Sequence, residues 1–346
     1  MADERIRAAI ANWAPRFTSQ GVDPNDFRRV TAELETWDEW LPSWEANGDR
    51  HAGLAREAEA AGRTLSAGEA WVRAALSYHF GKFVWMVDME RYRTVSDKAI
   101  AALYEAHRLL DPAAERVEVP FEDGTLYGNL RRFEPGSATP LAVLLPGLDS
   151  TKEEFFHWEN VFLLRGMSTF SLDGPGQGES GYATSIRPDY EAAVSAALDA
   201  LDWRGPAGVA GVSLGGYYAP RAAAFEPRLQ AVVSVSGPFC FGDGWDSRPG
   251  LTKETFVHHS GAADLDAARE KAFALTLEGA AERIQQPMLV ITGDRDRVIG
   301  WEESKRIADA APNATWVLVE GANHVVNDMP YRYRPLAADW LREQLA

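Results

Sequence analysis

The sequence predicts an α/β protein: a mostly parallel eight-stranded sheet flanked by helices, with an N-terminal helical domain in front and a small helical cap inserted in it. Three observations predict this. Through the last two thirds of the chain, short near-continuous apolar runs alternate with helix-like stretches, as in parallel strands covered on both faces. The first ~110 residues carry apolar positions at helical spacing and few helix breakers. Finally, about 50 residues separate two consecutive strands, too long for a structureless loop in a compact domain.

In the N-terminal block, Ala70 to Val87 places Val72, Leu76, Phe80, Phe83, Val84 and Val87 on a helical period. Trp13, Trp37, Trp40, Trp44, Trp71 and Trp85 also fall here, half of the tryptophans in the chain. Asp111-Pro112 closes the block, because a residue before proline is pushed out of the helical region. A hairpin follows, Arg116 to Phe121 and Thr125 to Phe133 joined by Glu122-Asp123-Gly124. The sheet strands are then Leu141 to Leu145, Ser168 to Leu172, Ala207 to Gly211, Ala231 to Val235, Met288 to Thr292 and Trp316 to Val319. The domains expected are a helical one over 1–115 and a catalytic one over 116–346, with the cap at about 238–284 and Leu265 to Leu277 helical within it.

A net charge of −16 argues against nucleic acid or an anionic membrane as the main partner, since both attract basic faces. The partner expected is a small-molecule substrate. Cys240 is the single cysteine, so no intrachain disulfide can form, a pattern associated with reducing compartments. No apolar run approaches 18 residues, and the N-terminus reads as an amphipathic helix rather than a signal peptide. A cytoplasmic protein is expected.

Gly211-Val-Ser213-Leu-Gly215 lies between the strand Ala207 to Gly211 and a helix, and is a complete G-x-S-x-G. Such a serine sits on a strained strand-to-helix turn, and side chains at the flanking positions would collide with neighbouring elements. The setting predicts Ser213 as a nucleophile and the α/β-hydrolase fold as its scaffold. In that fold the triad follows in the order Ser, acid, His. Met288 to Thr292 ends in Gly293-Asp-Arg-Asp296, and the last strand ends in Glu320-Gly-Ala-Asn-His324. Both loops leave the carboxyl ends of strands, where a parallel sheet gathers its site. His324 is the expected general base and then acid. Asp296 is preferred over Asp294 as its carboxylate partner, since Asp294 can bond to its own loop backbone.

The strand Leu141 to Leu145 runs into Pro146-Gly147-Leu148-Asp149. The oxyanion donors expected are the backbone N–H groups of Leu148 and Leu214. Asp149 is either a proton donor or acceptor beside them or a cap for a helix starting near Lys152. Asp173-Gly-Pro-Gly-Gln-Gly178 fits neither a phosphate-loop nor a dinucleotide fingerprint and reads as a tight glycine-rich loop bordering the pocket. No Cys, His and carboxylate cluster has metal spacing, so no metal and no cofactor are expected. Phe80, Trp85 and Tyr217 are candidates for lining the substrate pocket. The alternative for the N-terminal aromatics is helix–helix packing.

Leu148-Asp-Ser-Thr-Lys-Glu-Glu154, Asp173-Gly-Pro-Gly-Gln-Gly178, Ser213-Leu-Gly-Gly216 and Leu251-Thr-Lys-Glu254 resemble the 2,6-dihydroxypseudooxynicotine hydrolase family. The resemblance extends into the helical domain through Tyr78-His-Phe-Gly-Lys-Phe-Val-Trp85. It implies hydrolysis of a carbon–carbon bond next to a ketone by a serine triad, without a metal, in a homodimer. The triad then falls on Ser213, Asp296 and His324. The family's glutamate near the nucleophile falls on Asp149, one methylene shorter here. Relatives in the family also act on esters and polyketide chains, so a carboxylesterase is the alternative activity.

Overall fold

The computed structural model describes residues 3–122, 124–134 and 138–346. Asp123, at the middle of the expected hairpin turn, lies outside them. Two compact units are present. One runs to Glu115 and also takes in Glu153–His157; the other comprises Arg116–Lys152 and Trp158–Ala346.

The first unit is built from α1 (Glu4–Ser19), α2 (Pro24–Ala32), α3 (Trp40–Ala60), α4 (Thr64–Lys82) and α5 (Met89–Leu110). Local chemistry sets several of these starts. The Asp3, Asp23 and Asp88 side chains each accept a first-turn N–H at α1, α2 and α5, and Pro24 occupies the first position of α2. Aromatic rings fill the interior, with Phe17 stacked on Phe80 at 4.0 Å and Trp40, Trp44 and Phe83 around them. Glu154 explains why five residues from a later part of the chain belong here. Its buried carboxylate takes a two-pronged bond from Arg16 (2.7 and 2.6 Å) and lies 3.0 Å from His79 Nε2. Burial alone would raise that carboxyl, but Arg16 and then His79 hold it well below the usual range.

The second unit is an eight-stranded sheet with helices. Its strands are β1 (Glu115–Phe121), β2 (Gly124–Arg131), β3 (Leu141–Leu145), β4 (Ser168–Asp173), β5 (Ala207–Val212), β6 (Leu229–Val235), β7 (Met288–Gly293) and β8 (Ala314–Val319). They lie in the order β1-β2-β4-β3-β5-β6-β7-β8. β2 runs antiparallel to β4, and the pairs from β4 through β8 are parallel. Every residue of β3, β4, β5 and β7 is buried, as strands covered on both faces require. Between strands run α6 (Phe156–Leu163), α7 (Glu191–Leu201), α8 (Gly215–Phe225), α9 (Gly250–His259), α10 (Leu265–Ala274) and α11 (Trp301–Ala310), and α12 (Pro330–Gln344) ends the chain. The long β6–β7 connection is helical, through α9 and α10. Where a helix was expected from Lys152, the chain forms a short 3-10 turn over Lys152–Glu154 before α6. Among the described residues no helix is long and apolar enough to cross a membrane.

Candidate active site

Because β3, β5, β7 and β8 are parallel, the loops after them emerge on one edge of the sheet. Ser213 stands between β5 and α8 with φ of +57°, the left-handed region that costs an ordinary residue about 1–2 kcal/mol. Its N–H donates to Val235 O at 2.9 Å, which ties the turn to β6. A Cβ on Gly211 would collide with the Gly215 carbonyl, and one on Gly215 with the Leu145 carbonyl. Both glycines of the pentapeptide are therefore required by space. Gly147 also approaches from the β3 loop, less closely, with an added Cβ standing 3.0 Å from that of Ser213.

His324 Nε2 lies 2.9 Å from Ser213 Oγ, and His324 Nδ1 lies 2.7 Å from Asp296 Oδ2. The Asp296 side chain is wholly buried and that of His324 is 7% exposed. The other oxygen of Asp296 accepts the N–H groups of Val298 and Ile299, both at 2.9 Å. A carboxylate only accepts, so the imidazole proton sits on Nδ1 and the Nε2 lone pair faces the serine hydroxyl. Such a row can pass the hydroxyl proton to the imidazole while the carboxylate stabilises the imidazolium. Asp294 does something else: it is exposed and its Oδ1 accepts the Gly321 N–H at 2.6 Å, bracing the loop that leads to His324.

Three supporting residues escaped the sequence reading. The turn after His324 holds two β-branched residues at positive φ, Val325 (+58°) and Val326 (+53°), a conformation that persists only under outside constraint. Ser236 Oγ supplies it by accepting the Val325 N–H at 3.0 Å, with the Thr292 hydroxyl 3.2 Å away. Asn327 Nδ2 donates to His324 O at 3.1 Å. Arg248, from the β6–β7 insertion, is buried and donates to Phe241 O and to Val298 O, both at 2.8 Å, which anchors the Asp296 loop. Burial pushes its guanidinium down to about 10, against the pull of Glu303 and Asp296. Serines and arginines are common in any chain, and no spacing marks these as special.

The N–H groups of Leu148 and Leu214 have no protein acceptor among the described residues. Asp149 is half-buried next to Leu148. Tyr217, one turn into α8, is buried with its hydroxyl donating to Pro188 O at 2.8 Å. Phe80 and Trp85 have the contacts of core residues in the helical unit. Phe80 stacks on Phe17, and the Trp85 indole N–H donates to Trp37 O at 2.9 Å. Both contacts lie within the helical unit.

Sheet order, strained serine and hydrogen-bonded row together define a class, the α/β-fold hydrolases. Residues 142–335 match the model of the alpha/beta hydrolase family, and the chain belongs to that family as a hydrolase. Within it, the chain is 34% identical over 349 residues to 2,6-dihydropseudooxynicotine hydrolase of Paenarthrobacter nicotinovorans, covering 97% of this chain and 92% of that one. The crystal structure of 2,6-dihydroxy-pseudo-oxynicotine hydrolase superposes with a TM-score of 0.88 at 33% identity, over 97% of this chain and 96% of that one. The structure of AbyA5 wild type shares the fold, with a TM-score of 0.75 at 17% identity over 99% of both chains.

Proposed function

We propose that this chain is a serine-triad hydrolase that cleaves a carbon–carbon bond adjacent to a ketone, in a β-diketone-like or acyl-ketone substrate. The observation that carries the reading is the continuous row Ser213–His324–Asp296, at 2.9 and 2.7 Å, in a chain that aligns over nearly its whole length with 2,6-dihydropseudooxynicotine hydrolase. His324 takes the Ser213 proton as Oγ adds to the carbonyl carbon. The oxygen that becomes negative is met by the N–H groups of Leu148 and Leu214, where one such donor is worth about 3–4 kcal/mol. Collapse breaks the carbon–carbon bond, and the departing carbanion takes a proton from His324 with Asp149 assisting. Water, deprotonated by His324, then releases the acyl group as a carboxylic acid and restores Ser213. The resemblance that carries this reaction carries a homodimer with it, and the single cysteine fits a reducing, cytoplasmic location.

Carboxylester hydrolysis by the same triad is the second reading. Asp149, shorter by a methylene than the family's glutamate, favours it by weakening the proton delivery that a carbanion needs. A panel of aryl 1,3-diketones and p-nitrophenyl esters separates the two. Acid and ketone products from the diketones, with little ester turnover, are expected. Turnover confined to the esters would make the chain a carboxylesterase and leave Asp149 structural.

A further inference from the structure

The glycine-rich turn Asp173–Gly178 after β4 enters none of the steps above. Gln177, its last residue but one, is fully buried, and its side chain is engaged at both ends. Nε2 donates to Pro146 O at 2.9 Å and to Gly147 O at 2.8 Å; Oε1 accepts the Gly174 N–H at 3.0 Å and the Tyr190 hydroxyl at 2.7 Å. Both donors of the amide are used, and both acceptor sites. Tyr190 lies flat against Tyr218 of α8, 3.8 Å between ring centres at 10°. A Cβ on Gly174 would collide with the Tyr190 ring, so that glycine is what lets the phenol reach Gln177.

We infer that Gln177 is a positioning residue for the oxyanion hole, aiming the Leu148 N–H; this rests on the hydrolase reading above. The peptide joining Gly147 to Leu148 is planar and trans, so its carbonyl and its N–H point in opposite directions. Fixing Gly147 O on Gln177 therefore fixes the Leu148 N–H on the other side of that peptide plane. Gly147 is itself packed against Ser213, within 3.4 Å of Oγ for an added Cβ, so a small rotation of this peptide is felt at the nucleophile. Holding the Pro146 carbonyl as well leaves the peptide little freedom to turn. The Tyr190–Tyr218 stack ties the same glutamine to the helix that starts beside Ser213. An oxyanion donor acts only when it is oriented before charge develops, and Gln177 supplies that orientation without touching substrate.

An alkyl fluorophosphonate tests this without knowledge of the natural substrate. Ser213 Oγ bonds to phosphorus, the P–F bond breaks, fluoride leaves and His324 takes the hydroxyl proton, while the phosphoryl oxygen occupies the oxyanion position. Gln177→Glu keeps an acceptor for Gly174 and Tyr190 but, even as the protonated acid, has one donor where the amide had two, so it cannot hold both Pro146 O and Gly147 O. Its maximal inactivation rate is expected to fall about tenfold to a hundredfold, part of the loss for a whole oxyanion donor, with the half-saturating probe concentration unchanged. A merely structural glutamine would lower the melting temperature and leave the inactivation rate of folded protein at the wild-type value, and that result overturns the assignment. Should Gln177→Glu not fold, Tyr190→Phe is read in its place. It removes only the hydroxyl orienting Gln177, and a severalfold slower inactivation supports the role while an unchanged rate overturns it. A wild type that takes no label on Ser213 overturns the hydrolase reading and this role together. A labelled wild type beside an unaltered Gln177→Glu overturns only the role of Gln177.

Discussion

Ser213→Ala is expected to lose about 10⁶-fold in turnover while keeping its fold. The hydroxyl is the atom that would bond to the carbonyl carbon, and it is the group hydrogen-bonded to His324 Nε2. The backbone cost does not change, since alanine and serine are disfavoured alike at φ of +57°. Among the described residues the hydrogen bond lost is the one to His324 at 2.9 Å, so the melting temperature should move little. His324→Ala should lose a similar factor, and the double variant no more than either alone, because the two groups act in one step. Steady-state kinetics on the best diketone or ester of the panel measures all three. Residual turnover within tenfold of wild type in Ser213→Ala would mean that the chemistry lies elsewhere.

Asp296→Asn is expected to lose about 10⁴-fold in turnover, with a melting temperature close to wild type. Asparagine keeps an oxygen for the N–H groups of Val298 and Ile299, so the loop stays in place. Its amide nitrogen must then face His324 Nδ1 and donate to it. The imidazole proton moves to Nε2, which can no longer accept the Ser213 hydroxyl. Turning the amide over would instead set its N–H groups against the two backbone donors. Asp294→Asn is the natural comparison, because that residue only receives the Gly321 N–H, and a loss below tenfold is expected. Equal losses in the two variants would show that the carboxylate matters only through its loop.

Much of this fold was legible because apolar periodicity reports directly on which faces are covered. The strand runs around Leu141, Ser168, Ala207 and Met288 fall on β3, β4, β5 and β7 with at most a one-residue difference at their ends. The candidate nucleophile, base and acid were legible for another reason: a glycine-flanked serine and two strand-end loops are local patterns that parallel topology alone brings to one edge. What stayed hidden is tertiary. Nothing in the neighbourhood of Ser236 or Arg248 announces that a hydroxyl braces the His324 turn or that a guanidinium holds the Asp296 loop. The segment Lys152-Glu-Glu154 reads as one motif, yet the Lys152 ammonium bonds to Asp173 and Glu179 of the sheet unit, whereas Glu154 is buried among helices on Arg16. Phe80 and Trp85 are both buried, and helical periodicity identifies such a face without saying what covers it.

Peptide mapping of the wild-type protein after treatment with an alkyl fluorophosphonate is the most direct measurement of the geometry on which this reading depends. The expected result is a single phosphonyl adduct on the peptide carrying Ser213, absent from His324→Ala under the same exposure. An adduct on a different serine, or an unmodified Ser213 in folded protein, would contradict it.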